Sequence, residues 1–257
     1  MPMFIRKILH SLFLTLAKVL VNFSPGARHM VYAGSGSSTQ LCAHIARTGA
    51  KHLLVVTDKP LRDLGIVDQA IMALKDTDVD VEIYDGVLPD PTFELVAEGV
   101  AVGKTQGSDA ILAIGGGSAI DAAKIISASL TSDEPPSEWV GFGKVKHEVL
   151  PIYAIPTTSG TGSEATMGAV IKDAATHEKH VISGASLLPM VSALDPVLVA
   201  GLPPHITAAT GMDALTHGIE AYIGIWDRGT RKEDASIAVK LIFDNLVRAY
   251  RDGDDRD

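Results

Sequence analysis

The chain has 257 residues, 46% of them hydrophobic and 21% charged, with a formal net charge of −9; it is globular rather than disordered and offers no broad basic surface for nucleic acid. Its single cysteine, Cys42, excludes an internal disulfide and any thiolate metal cluster, which fits a reducing, cytoplasmic setting.

Residues 4–23 are apolar but broken by Arg6, Lys7, His10 and Lys18. The unbroken run is too short to cross a bilayer, so residues 1–25 read as an amphipathic helix resting on the protein or on a partner subunit, with peripheral membrane contact the alternative. From residue 30 the pattern turns regular. Strands at 30–32, 52–57, 79–84 and 110–114 are each followed by a helical segment, at 38–48, 67–75, 92–105 and 118–130. Strands alternating with helices of this length predict an α/β fold, a parallel sheet wound with helices on both faces.

Two corners in this alternation could hold a phosphate. At the first, Gly34-Ser-Gly36 joins strand to helix, but Thr39 stands where the dinucleotide fingerprint has its third glycine, and a simple capped turn is the alternative reading. At the second, Gly115, Gly116, Gly117 and Ser118 follow the apolar run 110–114 directly and open the next helix. Three glycines bring bare N–H groups close to a bulky anion, and the helix N-terminus adds free donors and a favourable dipole. This corner is the stronger candidate for a nucleotide.

Asp58 follows the second strand. An acid there can hydrogen-bond the hydroxyls of an adenosine ribose and repel a 2'-phosphate, favouring NAD over NADP; its other reading is a turn residue before Pro60. After a surface loop at 132–137 comes a buried strand at 150–155. It runs into Pro156-Thr157-Thr158-Ser159-Gly160-Thr161-Gly162-Ser163-Glu164, either a donor-rich loop for phosphate or a carboxamide, or a flexible connector. Further strands are expected at 181–182 and 190–194. From Pro203 the pattern is helical, with a last helix at 235–250. Asp213 and His217, four residues apart, leave one helix face together and can either grip a divalent cation or simply pair with each other.

Three segments, Ile114-Gly-Gly-Gly-Ser-Ala-Ile-Asp-Ala-Ala-Lys124, Pro156 to Thr166 and Gly211-Met-Asp-Ala-Leu-Thr-His-Gly-Ile-Glu-Ala-Tyr222, together resemble the iron-containing (group III) alcohol dehydrogenase family. The resemblance implies a dehydroquinate-synthase-like fold: a Rossmann-like nucleotide-binding unit over 26–196 and the start of a helical metal-binding unit over 197–257, with the active site between them. It implies NAD as cofactor, with the pyrophosphate on Gly115, Gly116, Gly117 and Ser118, Asp121 one turn into the helix, and the adenosine ribose on Asp58. Thr157, Thr158 and Thr161 approach the nicotinamide side, and Lys179 binds ribose. Asp213 and His217 take the first two metal-ligand positions, for Fe(II), with Zn(II) a chemical possibility. The family's two later histidines are missing, so the chain reads as C-terminally truncated. The implied activity is hydride transfer between a small primary or secondary alcohol, or the aldehyde or ketone, and NAD; separately, the apolar N-terminal helix and the unfinished helical unit invite association into a homo-oligomer. The alternatives are a glycerol-dehydrogenase-like or dehydroquinate-synthase-like sibling, or a non-catalytic nucleotide-binding fragment.

Overall fold

The computed structural model describes residues 29–224 and 230–255, together with Arg6 and Thr15; the helix expected over 1–25 lies outside the described residues apart from those two. In chain order the elements are β1 (Met30–Ala33), α1 (Ser37–Thr48), β2 (His52–Val56), α2 (Lys59–Asp63), α3 (Ile66–Ala70), β3 (Asp80–Tyr84), α4 (Phe93–Gln106), β4 (Ala110–Gly115) and α5 (Gly117–Leu130). Then follow β5 (Gly141–Phe142), β6 (Ile152–Pro156), β7 (Gly168–Lys172), β8 (Lys179–Ser183), β9 (Val191–Leu194), α6 (Pro204–Ile223) and α7 (Arg231–Arg251).

Six strands form an all-parallel sheet in the order β1-β9-β6-β4-β2-β3. Its inner strands β2, β4, β6 and β9 are apolar on both faces because helices cover both, while the edge strands β1 and β3 are partly exposed. Side chains alternate across the pleat: Leu54, Val56, Ile111 and Ala113 face the core shared with α4 and α5, while Leu53, Val55, Leu112 and Ile114 face the core shared with α1, α2 and α3. At roughly 1.5–3 kcal/mol per fully buried aliphatic side chain, this double-sided burial is the main favourable contribution to folding. The connections stop where local chemistry stops them. Thr92 caps α4 by accepting the Leu95 N–H at 3.4 Å, and Gly107 ends it at φ 73°, a left-handed geometry that glycine adopts without strain.

The fold class read from the alternation is the observed one. Two details differ. The helix expected over 67–75 is broken: α3 ends at Ala70, and a tighter 3-10 turn, Met72–Leu74, follows, which lets both Ile71 and Leu74 reach the core. The second difference is a small sheet, β5-β8-β7, in which β7 and β8 pair antiparallel. Only part of β8 was foreseen, because β7 and β8 each leave an apolar residue, Val170 and Val181, facing outward.

Helices α6 and α7 pack against each other through small residues. Gly211 lies under Leu246 and Gly218 under Val239, so the two helices run antiparallel. Among the described residues, no helix is long and apolar enough to cross a membrane.

Candidate functional site

The site is assembled at the carboxyl ends of β2, β4 and β6, which are neighbours in the sheet. Parallel strands all deliver their following loops to the same edge, so residues far apart in sequence meet there. Gly115 ends β4 at φ 152°, and a Cβ on it would sit 2.7 Å from that of Ala119. Gly116 precedes the first turn of α5, and no side chain caps that turn. The helix therefore presents its dipole and first amides toward the loop after β6. A Cβ on Gly117 would lie 3.1 to 3.3 Å from the atoms of Thr161, and one on Gly116 would lie 3.4 to 3.5 Å from Thr158. The space that glycine leaves is a cradle with threonines on its far wall.

The hydroxyl of Thr158 is buried and has no hydrogen-bond partner among the described residues. An orphaned donor of this kind is costly, by about 1–3 kcal/mol, and is resolved by a ligand or a water. Thr157 is buried beside it, its amide donating to the Gly115 carbonyl at 3.0 Å, which clips the loop to the glycine corner. The hydroxyl of Thr161 accepts the Ser163 N–H at 3.3 Å. These residues fit an anionic diphosphate: bare backbone, a helix N-terminus and an unsatisfied hydroxyl converge on one volume.

Asp58 caps α2, accepting the Leu61 N–H at 3.0 Å, so the turn-residue reading holds as geometry. One of its carboxylate oxygens also lies 3.7 Å from the position of a Gly115 Cβ, which leaves the carboxylate bordering the glycine corner. Burial raises its pKa, opposed by the Leu61 amide.

Asp121 lines the cleft but is already engaged. Its carboxylate accepts the Ser163 hydroxyl and the Val170 N–H, the latter at 2.8 Å. Burial raises its pKa against the pull of Lys124, Ser163 and Val170. Lys179 donates to Asp90 at 2.7 Å, and this bond holds the Asp90 carboxyl below its ordinary range. Asp213 and His217 stand on one face of α6 with Oδ1 and Nε2 3.7 Å apart, both half exposed. One cleft of about 680 Å³ is lined by Gly117, Ser118, Asp121, Thr161, Lys179, Asp213 and His217. Asp58, Gly115, Gly116, Thr157 and Thr158 are not among the residues that line this cleft; they adjoin it through Gly117 and Thr161. A carboxylate and an imidazole suit a divalent cation of the first transition row, but among the described residues no third His, Cys, Asp or Glu joins them.

A family model described as "Iron-containing alcohol dehydrogenase" matches residues 29–196, and one described as "Fe-containing alcohol dehydrogenase family, C-terminal" matches residues 207–257. The chain belongs to the iron-containing alcohol dehydrogenase family. It is 37% identical over 228 residues to a long-chain-alcohol dehydrogenase of Geobacillus thermodenitrificans, covering 88% of this chain and 57% of that protein. Among solved structures, a 1,3-propanediol oxidoreductase superposes with a TM-score of 0.84 at 37% identity, covering 87% of this chain and 59% of the other. A sulfoacetaldehyde reductase from Bifidobacterium kashiwanohense, solved in complex with NAD+, gives 0.83 at 28% identity, covering 90% and 61%. The chain thus spans about three-fifths of the length of these family members.

Within this family frame, the first glycine corner is explained by a residue 159 positions away. The carboxylate of Asp195 accepts the Gly36 N–H at 3.1 Å, the Ser38 N–H at 3.2 Å and the Ser38 hydroxyl at 2.6 Å. The N-terminus of α1 is thus filled by the protein's own anion and is a capped turn. Three further residues escaped the sequence reading. Lys124 was visible only as the one cation of α5 and the last residue of a family-like segment, with no role attached, and nothing local marked Asp195. Gly160 was one glycine among several, yet a Cβ there would lie 2.6 Å from the carbonyl carbon of Thr210 in α6 and closer still to its oxygen.

Proposed function

We propose that residues 26–196 form a cofactor unit that binds NAD, and that residues 197–257 begin the helical unit that carries the metal ligands. The pyrophosphate rests on the amides of Gly116, Gly117 and Ser118 at the head of α5, with Gly115 allowing the close approach. Thr158 and Thr161 close over it from the β6 loop, and Thr157 secures that loop to the corner. Asp58 takes the ribose hydroxyls and disfavours a 2'-phosphate. Lys179, on exchanging its bond to Asp90, reaches the nicotinamide ribose. Bound NAD supplies the carbon that accepts or donates hydride. Asp213 and His217 are the residues that hold a divalent ion, Fe(II) on the family's name or Zn(II) by donor type; such an ion supplies Lewis acidity toward a substrate oxygen.

The whole protein's activity is read as hydride exchange between a small alcohol and NAD. The hydroxyl loop and α6 contribute position: they set the cofactor corner and the metal-binding face at a fixed separation across one cleft. The observation that carries this reading is the buried hydroxyl of Thr158, without a hydrogen-bond partner among the described residues, over an uncapped glycine corner. Calorimetry of the 257-residue chain with NAD+ tests it. Saturable one-to-one binding is expected, lost in Gly117→Val, with substoichiometric metal and negligible alcohol oxidation. Absence of NAD+ binding overturns the cofactor assignment, and stoichiometric iron or clear turnover overturns the view that two ligands make an incomplete metal site.

A further inference from the structure

Lys124 lies in the middle of α5 between Ala123 and Ile125, fully buried like both of them. Its ammonium donates to the Gly168 carbonyl at 2.6 Å, the Ser163 carbonyl at 2.8 Å, the Thr166 hydroxyl at 3.0 Å and the Ser163 hydroxyl at 3.3 Å. One turn earlier on the same helix, Asp121 takes the Ser163 hydroxyl and the Val170 amide, and its carboxylate lies 3.7 Å from the Lys124 nitrogen. The charged groups acting on Lys124 are Asp121 on its own helix and Glu164 in the loop. Desolvation pushes its pKa down to about 8 despite both.

A buried ion pair is a poor way to stabilise a core, because a hydrophobic side chain of similar volume commonly does as well or better. What an ammonium provides and a methyl group does not is a set of directed bonds. Here those bonds run to the two segments that flank the cofactor cradle: the loop at residues 157–166 and the first residue of β7. Lys124 is not on the cleft surface, and its three protons face four protein acceptors, so nothing is left for a ligand.

We infer that Lys124, with Asp121, is a positioning residue that draws the hydroxyl loop onto α5 and so sets Thr158 and Thr161 over Gly116 and Gly117, without touching the cofactor itself. The inference rests on the reading of that corner as the NAD site. Asp121 is then a member of the clamp rather than a direct cofactor contact. Two residues three apart on the helix whose N-terminus faces the diphosphate fix both the cradle and its lid.

The test is a pair of titrations at pH 7, NAD+ and AMP, on the wild-type chain and on Lys124→Met. On the proposed reading the adenosine of AMP lies at Asp58 and its single phosphate on the Gly115 side of the corner, whereas the loop threonines adjoin Gly116 and Gly117. Lys124→Met is expected to weaken NAD+ at least tenfold and AMP less than twofold. If the wild type binds no NAD+, the reading of the corner fails and the inference falls with it. If the wild type binds and the variant binds equally well, or loses both ligands alike, the inference alone fails. Should Lys124→Met not fold, the wild-type pH profile decides. NAD+ affinity should drop at least fivefold between pH 7 and 9.5 as the ammonium is lost, with AMP affinity steady; a flat NAD+ profile overturns the clamp.

Discussion

Replacing Gly160 by alanine should loosen the joint between the hydroxyl loop and α6. An added Cβ would stand 2.6 Å from the Thr210 carbonyl carbon and 2.8 Å from its Cα. Both are backbone atoms in the second turn of a 20-residue helix, so no side-chain rotation relieves the clash. Ordinary carbon contacts begin near 3.5 Å, so loop and helix must part by on the order of 1 Å. Overpacking of this kind costs about 1–3 kcal/mol, or roughly 4–8 °C in melting temperature at the middle of that range for a domain of this size. Gly168→Ala is the control, because its Cβ would meet only the Ile182 carbonyl oxygen, at 3.8 Å. Thermal unfolding followed by circular dichroism reads the difference. A Gly160→Ala chain that melts within 1 °C of wild type, or a Gly168→Ala chain that falls as far, would refute the argument that the loop is fitted to α6 at this point.

Asp58→Gly should weaken NAD+ about tenfold, the loss of roughly one charge-assisted hydrogen bond, and let NADP+ compete; competition calorimetry showing an unchanged preference removes Asp58 from the ribose site. The lost α2 cap should cost only a few tenths of a kcal/mol. Asp195→Ala strips the partners from Gly36, Ser38 and Val197 and should lower unfolding stability by about 3 kcal/mol in urea titrations while leaving NAD+ affinity within twofold. A large loss of NAD+ binding would instead make the first glycine corner the cofactor site. The depressed pKa of Lys124 has a defined sign. Its value falls from 10.5 unfolded to about 8 folded, so the unfolded chain holds more protons between those limits and stability rises with pH there. From pH 8 to 9 the gain should be about 1 kcal/mol. Above pH 9, Cys42 opposes it, because burial raises that thiol to about 12 and the unfolded chain ionises first. Urea unfolding at pH 7, 8 and 9 checks this against Lys124→Met, and a wild type no steeper than the variant contradicts it.

The alternation of strands and helices was legible because each element is specified locally: apolar runs such as Ala110–Gly115 are buried on both faces, and caps such as Thr92 and Gly107 sit where the pattern stops. The glycine corner and the Asp213 and His217 pair were legible for the same reason, being short-range patterns. What escaped depends on contacts made across the fold. The Asp195 carboxylate reaches Gly36 and Ser38 over more than 150 residues, Lys124 gathers acceptors about 40 residues on, and Gly160 is defined only by the helix that lands on it. Asp121 shows the intermediate case. Its place beside the cleft follows from helical spacing, but the partners that occupy its oxygens lie in a loop and a strand whose course the sequence left open.

In the main sheet β1 is an edge strand whose neighbour is β9, and the helix after β1 is held by the acid that ends β9. During synthesis the first strand of the fold therefore emerges without its mate and must wait until more than 150 further residues have left the ribosome. Any N-terminal folding intermediate can contain the β2, β3 and β4 ladder, but it cannot contain β1 in place. The joining of β1, and with it the docking of α1, is a late step that closes the structure from its outer margin.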